Sequence, residues 1–435
     1  MKNILRTAFA ALCVPLLLAA CEGGANEFGR IDRKADVPVP SPVSVTGVRS
    51  TNGGAVIKVN IPDDDNIKGV IASYVRHGVE VNTKISRYVD SLSVVGFADT
   101  QTHSVEIASF NVNEERSRAV KVDFTPLAPA IMLTTPTLIQ AFGGVKIHIV
   151  GNTPKADLAV CLLRDADVSD FDKDVSRMKW EEVQTLFTAA EEITLSRRGL
   201  EPVEAIYGVY IRDRWGNVSD TVKAIITPLE EVQLPKNKFR NANLTDDNWV
   251  GNGTYPVERL WDGSGSSLYE SGYGYHFAAS GDGPIPMWLT IDLGVKTRIS
   301  RIGTLPRIGY LIWSSAHPRD FEFWGSMNPS GQSVPGNEHG FDDSWVCLGK
   351  FTQFKPSGYD KNGLVGTVTQ DDTDYFNAGN DFELDNEQWP HAYDEIRYLR
   401  IVFANTFSTF EYNQNTGSVQ FGEVTPFGQI VETYR

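Results

Sequence analysis

The sequence predicts an all-β protein: two small β-sandwiches followed by a larger one. Three observations carry that reading. From Val43 onward, short runs alternate apolar and polar residues, as in Val43-Ser44-Val45, Ala55–Ile61 and Gly69–Val75. Turn residues separate them at Asn52-Gly53-Gly54 and Pro62-Asp63-Asp64-Asp65-Asn66. A period of two is that of a strand, and strands at about 8–12-residue spacing build sandwiches. The pattern then recurs in a second stretch of chain. Further on, Trp288-Leu289-Thr290-Ile291-Asp292-Leu293 alternates again and stops at Gly294, which reads as a half-buried strand. Of the 435 residues, 41% are hydrophobic and 22% charged, so the chain can bury cores and is not disordered.

The first element is a leader. Lys2 and Arg6 precede an apolar run, Ala8 to Leu18, that is too short to span a bilayer. Leu18-Ala19-Ala20-Cys21 resembles a bacterial lipobox. The resemblance implies a signal peptide over 1–20 and a lipidated Cys21 at the head of a tether over 21–39. Two or three acyl chains anchor stably. Glu22 and the flexible Gly23-Gly24-Ala25-Asn26 resemble the short acidic tether of Bacteroidetes lipoproteins sent to the outer face of the outer membrane. No other apolar run reaches the length of a span, so the mature chain is expected to be anchored rather than spanning. Pro38, Pro40 and Pro42 make a stiff spacer.

Two small sandwiches are expected over 40–127 and 128–229. Gly53-Gly54 before a strand recurs 90 residues later at Gly143-Gly144. Ser117, Val120 and Thr125-Pro126-Leu127 recur 102 residues later at Ser219, Val222 and Thr227-Pro228-Leu229. The second copy therefore carries about twelve extra residues. They are expected near Asp172–Ala190, where Val175, Met178, Val183, Leu186 and Phe187 suit one face of a short helix. Tyr207–Asp213 and Val218-Ser219 read as a closing hairpin turning at Gly216-Asn217. Trp215 on that turn either caps the sandwich or offers a platform for a sugar. Each copy resembles a fibronectin type III or immunoglobulin-like domain. Neither groups His, Cys or paired acids, so both read as spacers.

The polar segment from Leu234 to Asn248 marks the next boundary. Beyond it come Leu260-Trp261-Asp262-Gly263, then Trp288–Gly294, then Pro318-Arg319-Asp320-Phe321-Glu322-Phe323-Trp324-Gly325-Ser326, then Tyr398-Leu399-Arg400-Ile401, then Val419–Val424 with Glu423. In that order the series resembles the discoidin, or coagulation factor V/VIII type C, domain over roughly 231–430. The resemblance implies a galactose-binding-like jelly roll. The whole order, two sandwiches and a discoidin-like domain behind a lipobox, resembles Bacteroidetes surface lipoproteins of polysaccharide utilisation loci.

The same resemblance implies one structural Ca²⁺, held by Asp262, a hydroxyl at Ser267, backbone carbonyls and Glu423. Ser267 stands where Thr is usual and Tyr269 where Trp is usual. Ca²⁺ wants six to eight oxygens; otherwise Asp262 only caps its turn. The resemblance also places the ligand in loops at one end of the jelly roll. The loops carry Tyr275 and His276; Arg307, Trp313 and His317; and Phe410 and Tyr412. Rings stack on pyranose C–H faces, while Arg and His hydrogen-bond hydroxyls. The insert Tyr359–Trp389 reads as a solvated acidic loop or, alternatively, a lid. It lacks the Gly and Glu of an EF-hand.

Charge and motif narrow the function. The net charge is −15, and the one basic group, Arg212-Asp213-Arg214, is too small to neutralise phosphates, so nucleic acid is excluded as a partner. There is no G-x-S-x-G, no H-E-x-x-H and no placeable carboxylate pair, so an enzyme is not expected. Of the four cysteines, Cys161 and Cys347 lie in different predicted domains and are not expected to pair. The expectation is a cell-surface lipoprotein that captures oligo- or polysaccharide for an outer-membrane glycan importer or neighbouring surface lipoproteins. The alternative is a non-catalytic adhesin or scaffold that binds a protein partner.

Overall fold

Gly54–Asn60 reads Gly-Ala-Val-Ile-Lys-Val-Asn, and a period of two buries one face only if the chain is extended. In the computed structural model, which describes residues 34–263, 277–279, 283–307, 312–331 and 338–434, this segment buries Ala55, Ile57 and Val59 and turns Lys58 and Asn60 outward. It is the second of seven strands: β1 (Ser44–Thr51), β2 (Gly54–Asn60), β3 (Gly69–Arg76), β4 (Val79–Ser86), β5 (Ser91–Val95), β6 (His103–Phe110) and β7 (Val120–Phe124). Their sheets are β1-β2-β5 and β4-β3-β6-β7. Ile57 and Leu92 from one sheet meet Val70, Ala72, Val105 and Ile107 from the other in a single core.

The next seven strands are β8 (Thr135–Ala141), β9 (Gly144–Val150), β10 (Leu158–Asp165), β11 (Glu181–Thr188), β12 (Ile193–Arg197), β13 (Ala205–Asp213) and β14 (Val222–Ile226). They repeat the topology strand for strand, as β8-β9-β12 and β11-β10-β13-β14. The sequence repeat is a repeat of hydrogen bonds. Leu127 N–H donates to Thr51 O (3.0 Å) and accepts at its carbonyl from Gly53 N–H (2.9 Å). Leu229 does the same with Ala141 (3.0 Å) and Gly143 (2.7 Å). The hydroxyls of Ser117 and Ser219 accept from Ser109 N–H (3.1 Å) and Ile211 N–H (2.9 Å).

The expected helix over Asp172–Ala190 is corrected. Val175–Arg177 is one 3-10 turn, and Glu181–Thr188 is β11, paired with β10 from Leu158↔Thr188 to Arg164↔Glu181. Val183, Leu186 and Phe187 match a helical face by coincidence. A helix this short is marginal by itself, whereas the β10 edge offers a full ladder to a Val/Thr/Phe-containing segment.

By contacts the chain forms two compact units. One holds β1–β7 and most of β8–β14; the other holds everything from Ile226 onward with the pieces 140–146 and 196–204. The second unit contains β15 (Val232–Gln233), β16 (Arg240–Asn241), β17 (Phe277–Ala278), β18 (Met287–Leu305), β19 (Pro318–Ser326), β20 (Val346–Thr352), β21 (Asn380–Glu383), β22 (Ile396–Thr406), β23 (Gln420–Phe421) and β24 (Glu423–Thr433). Its main sheet runs β15-β24-β18-β22-β19-β20, with β16 and β21 also on β18; β17 and β23 form a separate pair. Leu289, Ile291 and Leu293 of β18 pack with Phe321, Phe323, Leu399, Ile401 and Phe403 over Leu260 and Trp261.

Strand β18 does not stop at Gly294. The chain turns there at φ +65 and continues to Leu305, exchanging β22 as partner (Met287–Asp292) for β24 (Val295–Leu305). Glycine suits this corner twice over: the φ is left-handed, and a Cβ would lie 2.9 Å from Lys238. The polar segment read as a boundary is also packed. Arg400, fully buried, makes a bidentate pair with Asp246 (2.9 and 2.8 Å) and reaches Asp247 (3.3 Å) and Thr290 (3.0 Å). Its guanidinium lies over the rings of Phe341 and Trp345, 4.5 and 4.2 Å from their centroids. Burial raises the Asp247 carboxyl above its ordinary range despite Thr290 and Arg400.

Candidate functional site

Two of the loops named from the sequence meet the sheet side by side, because Pro318 at the head of β19 pairs with Thr406 at the foot of β22. Thr406 N-caps the short helix Phe407–Glu411: its hydroxyl accepts from Thr409 N–H (3.2 Å), and Thr409 Oγ1 accepts from Thr406 N–H (2.8 Å). Asn413 then takes a left-handed conformation, φ +50, and turns the chain back. Ser408 N–H donates to Ser315 O (2.9 Å) and ties the two loops.

Between them lies a depression of about 500 Å³ lined by Ser315, Ala316, Thr406, Ser408, Thr409 and the run Asn413–Ser418. Its polar groups are hydroxyls and amides, with no charged side chain. The side-chain amides of Asn413, Gln414 and Asn415 carry no hydrogen bond among the described residues. Tyr412, one residue before the lining, is 63% exposed. Such a surface suits a neutral ligand rich in hydroxyls, with a ring at hand to cover its C–H face. A wider depression, about 600 Å³ on the first small sandwich, is bordered by Lys58, Arg87 and Asp90, with Lys58 and Asp90 paired at 3.5 Å. It offers long charged chains instead of convergent short polar ones.

Trp313 and His317, each 1% exposed, are corrected as ligand contacts. The Trp313 indole donates to Asp372 O (2.9 Å) and packs against Phe376, Phe407 and Tyr359 at 5.1, 5.7 and 6.4 Å. The His317 ring meets Phe376 edge-on at 5.0 Å. Arg307 is half-buried and donates to Gln420 Oε1 (2.8 Å), bridging its loop to β23. The half-buried Phe410 ring carries the Arg319 guanidinium 3.6 Å from its centroid. Cys21, Ser267, Tyr275 and His276 lie outside the described residues.

The insert Tyr359–Trp389 is what covers Trp313. It is not a solvated loop throughout: it folds into the helix Gln370–Ala378 and β21. Asp372, fully buried, holds it down. Its carboxylate accepts from Ser357 N–H (2.9 Å), Ser357 Oγ (2.7 Å) and Thr369 N–H (2.8 Å) and pairs with Lys355 Nζ (3.1 Å). Burial alone would raise this carboxyl, but the backbone donors of Thr369 and Ser357 outweigh it and hold the group far below the usual carboxylate range.

The segments that carry Asp262 and Glu423, implied as calcium ligands, do meet: Gly263 N–H donates to Glu423 Oε1 (3.1 Å). Each already has a cation. Lys236 Nζ lies 2.5 Å from Glu423 Oε1 and donates to Thr425 Oγ1 (2.7 Å), and Arg259 pairs with Asp262 at 2.8 Å. The described part of the donor set therefore does not fit a calcium cage. An ammonium stands at the 3% exposed carboxylate where the metal would be.

Sequence reading missed a further charged cluster. Glu322, Glu338 and His339 bring ligand-type atoms within 4.8 Å of one another, but Lys350 Nζ lies 3.1 Å from Glu322 and also pairs with Glu338. Trp324 Nε1 donates to Glu322 (2.7 Å), so the group closes on itself. Among the described residues, Cys161 and Cys347 are free thiols, and no helix is long and apolar enough to cross a membrane.

Three families of unknown function match successive parts of the chain: DUF4959 over residues 40–126, DUF5126 over 127–237 and DUF5000 over 261–428. No curated protein matches. Among solved structures, a SusE-like protein is 22% identical and aligns over 70% of this chain and 100% of its own, with a TM-score of 0.42. A family 32 carbohydrate-binding module from a family 31 glycoside hydrolase of Clostridium perfringens is 14% identical over 45% of this chain and 95% of its own, TM-score 0.30. The C-terminal domain of a Bacteroides fragilis chitobiase is 15% identical over 46% and 100%, TM-score 0.29.

Proposed function

We propose that this chain is a non-catalytic carbohydrate-binding lipoprotein. It would be held to the outer membrane through Cys21, face the cell exterior and capture glycan for a neighbouring importer. The observation that carries the binding part is the uncharged pocket of hydroxyls and unpaired amides beside the exposed Tyr412. Short hydroxyls and amides exchange hydrogen bonds with sugar hydroxyls at little desolvation cost, and a Tyr face adds stacking. Single sites of this kind are weak, and many copies on one membrane raise avidity. The two small sandwiches would lift the site away from the lipid.

Affinity electrophoresis of the Cys21→Ala chain in gels containing soluble starch, galactomannan, arabinoxylan or pectic galactan tests the reading. At least one polysaccharide should retard it, and Tyr412→Ala with Asn413→Ala should weaken that retardation at unchanged Tm. Migration unaffected by every polysaccharide would sink the proposal. The anchor is tested separately by fractionation: wild type should sediment with membranes, and Cys21→Ala should be soluble.

A further inference from the structure

A second groove, of about 530 Å³, crosses the outer face of the main sheet where β21, β18 and β24 run side by side. Register puts Asp381, Gly303 and Thr425 in one row across the three strands, with Arg301 and Phe427 in the next. A sheet face is normally filled by its side chains. Here Gly303 has none, and the Asp381 carboxylate lies in that space instead: a Cβ at Gly303 would lie 2.9 Å from Asp381 Oδ1. One wall is Tyr375, on the helix Gln370–Ala378, and the other is Phe427, whose ring carries the Arg301 guanidinium 3.6 Å from its centroid.

The polar groups are oriented. Arg301 Nη1 holds Asp381 Oδ2 at 2.5 Å, which fixes the carboxylate. The other oxygen, Oδ1, and the Tyr375 hydroxyl carry no hydrogen bond among the described residues. An ionised carboxylate accepts only, so the occupant must donate, and the two aromatic walls require an apolar face on the same molecule. A pyranose with adjacent hydroxyls has both. A sulfated or uronic sugar would place its charge against Asp381 and is disfavoured.

We infer that this sheet-face groove is a second carbohydrate site. It takes a neutral hydroxyl-rich glycan, with Asp381 as the acceptor of its hydroxyls and Tyr375 and Phe427 as its walls. The volume lies in the ~300–1,000 Å³ range of small-ligand sites. The inference rests on the carbohydrate reading above but on different residues. Two sites on one unit let a single polysaccharide be held at two points, which slows its release.

The test uses the Cys21→Ala chain in the same four neutral polysaccharides, with polygalacturonate as the acidic control. Four proteins are compared: wild type, a rim variant (Tyr412→Ala, Asn413→Ala, Asn415→Ala), Asp381→Asn, and the rim variant combined with Asp381→Asn. Gly303→Val, whose side chain would displace the Asp381 carboxylate, is a second groove variant, and Tm reports folding. The rim variant should keep residual binding to a neutral polysaccharide, and adding Asp381→Asn should weaken it at least about tenfold at similar Tm, with polygalacturonate unbound throughout. If the rim variant binds nothing while wild type binds, the groove is not a site and the rim reading stands. If the rim variant binds like wild type and Asp381→Asn abolishes binding, the groove stands and the rim reading falls. If wild type binds no sugar, both fall.

Discussion

Trp313 shows what a single residue's exposure decides. An indole in an end loop is an obvious stacking surface, yet here the buried ring packs against Phe376, Phe407 and Tyr359 and its N–H donates to Asp372 O. Trp313→Ala should therefore cost about 3–5 kcal/mol of stability in chemical denaturation. At temperatures where the variant stays folded, glycan affinity should change far less than in Tyr412→Ala. The reverse pattern would return Trp313 to the binding surface. Lys236 makes a second case. Its ammonium pairs with the buried Glu423 carboxylate, which the resemblance assigns to calcium. EDTA and CaCl₂ should leave the wild-type Tm where it is, whereas Lys236→Met, which strands a buried carboxylate, should lower stability by about 3 kcal/mol. A Tm that rises with calcium would show that donors beyond Asp262 and Glu423 complete a metal site.

At the scale of elements, the insert Tyr359–Trp389 governs what the rim offers. The chain from Lys355 to Ala378 is organised by one carboxylate, which caps the helix through Thr369, binds Ser357 and pairs with Lys355. The free side chain titrates near 3.8 and the folded one well below. The unfolded chain thus takes up the proton first as pH falls. The stabilisation is complete above about pH 4 and is lost as acid approaches the lower, folded value. Asp372→Asn should lower Tm at pH 7, and the gap to wild type should close as pH drops below 4. A gap constant from pH 7 to pH 3 would mean that folding leaves the carboxyl's affinity for its proton unchanged. Strand β11 carries the complementary lesson: its apolar spacing fits a helix, but the unpaired edge of β10 claims it.

At the scale of the molecule, the first small sandwich and most of the second form one compact unit. Trp215 closes it. A Cβ at Gly96 would lie 2.8 Å from Trp215 Cγ and 2.7 Å from Arg76 Cδ, and Asn217 Nδ2 donates to Gly96 O (3.2 Å). Gly96 also sits at φ +93, where other residues are strained. Of the two roles open to Trp215, the ring serves as a cap. Gly96→Val should cost about 1–3 kcal/mol and make the first unit more susceptible to limited proteolysis, with the rim and groove of the second unit unaffected. Equal protease resistance in the variant would show that the ring contact does not join the sandwiches.

Period and repeat are local properties, and the sequence by itself settled whatever depends on them. The all-β class follows from alternation, as in Ala55–Ile61 and Trp288–Leu293. The doubling of the small sandwich follows from Gly53-Gly54 and Leu127 returning as Gly143-Gly144 and Leu229, because those residues close the same hydrogen bonds in both copies. That the loops before Pro318 and after Thr406 lie together was also legible, since those residues end paired strands in a recognisable order. Which residues face solvent there was not. Burial depends on what packs from elsewhere in the chain, and no pattern around Trp313 announces that Phe376, more than sixty positions away, will cover it. Likewise Arg400 and Asp246, or Lys236 and Glu423, are separated by more than 150 residues. Long-range pairing of charge and of aromatic faces is set only when the sheet closes, and that closure buried Trp313 and His317 while leaving the side-chain amides of Asn413–Asn415 without hydrogen bonds among the described residues.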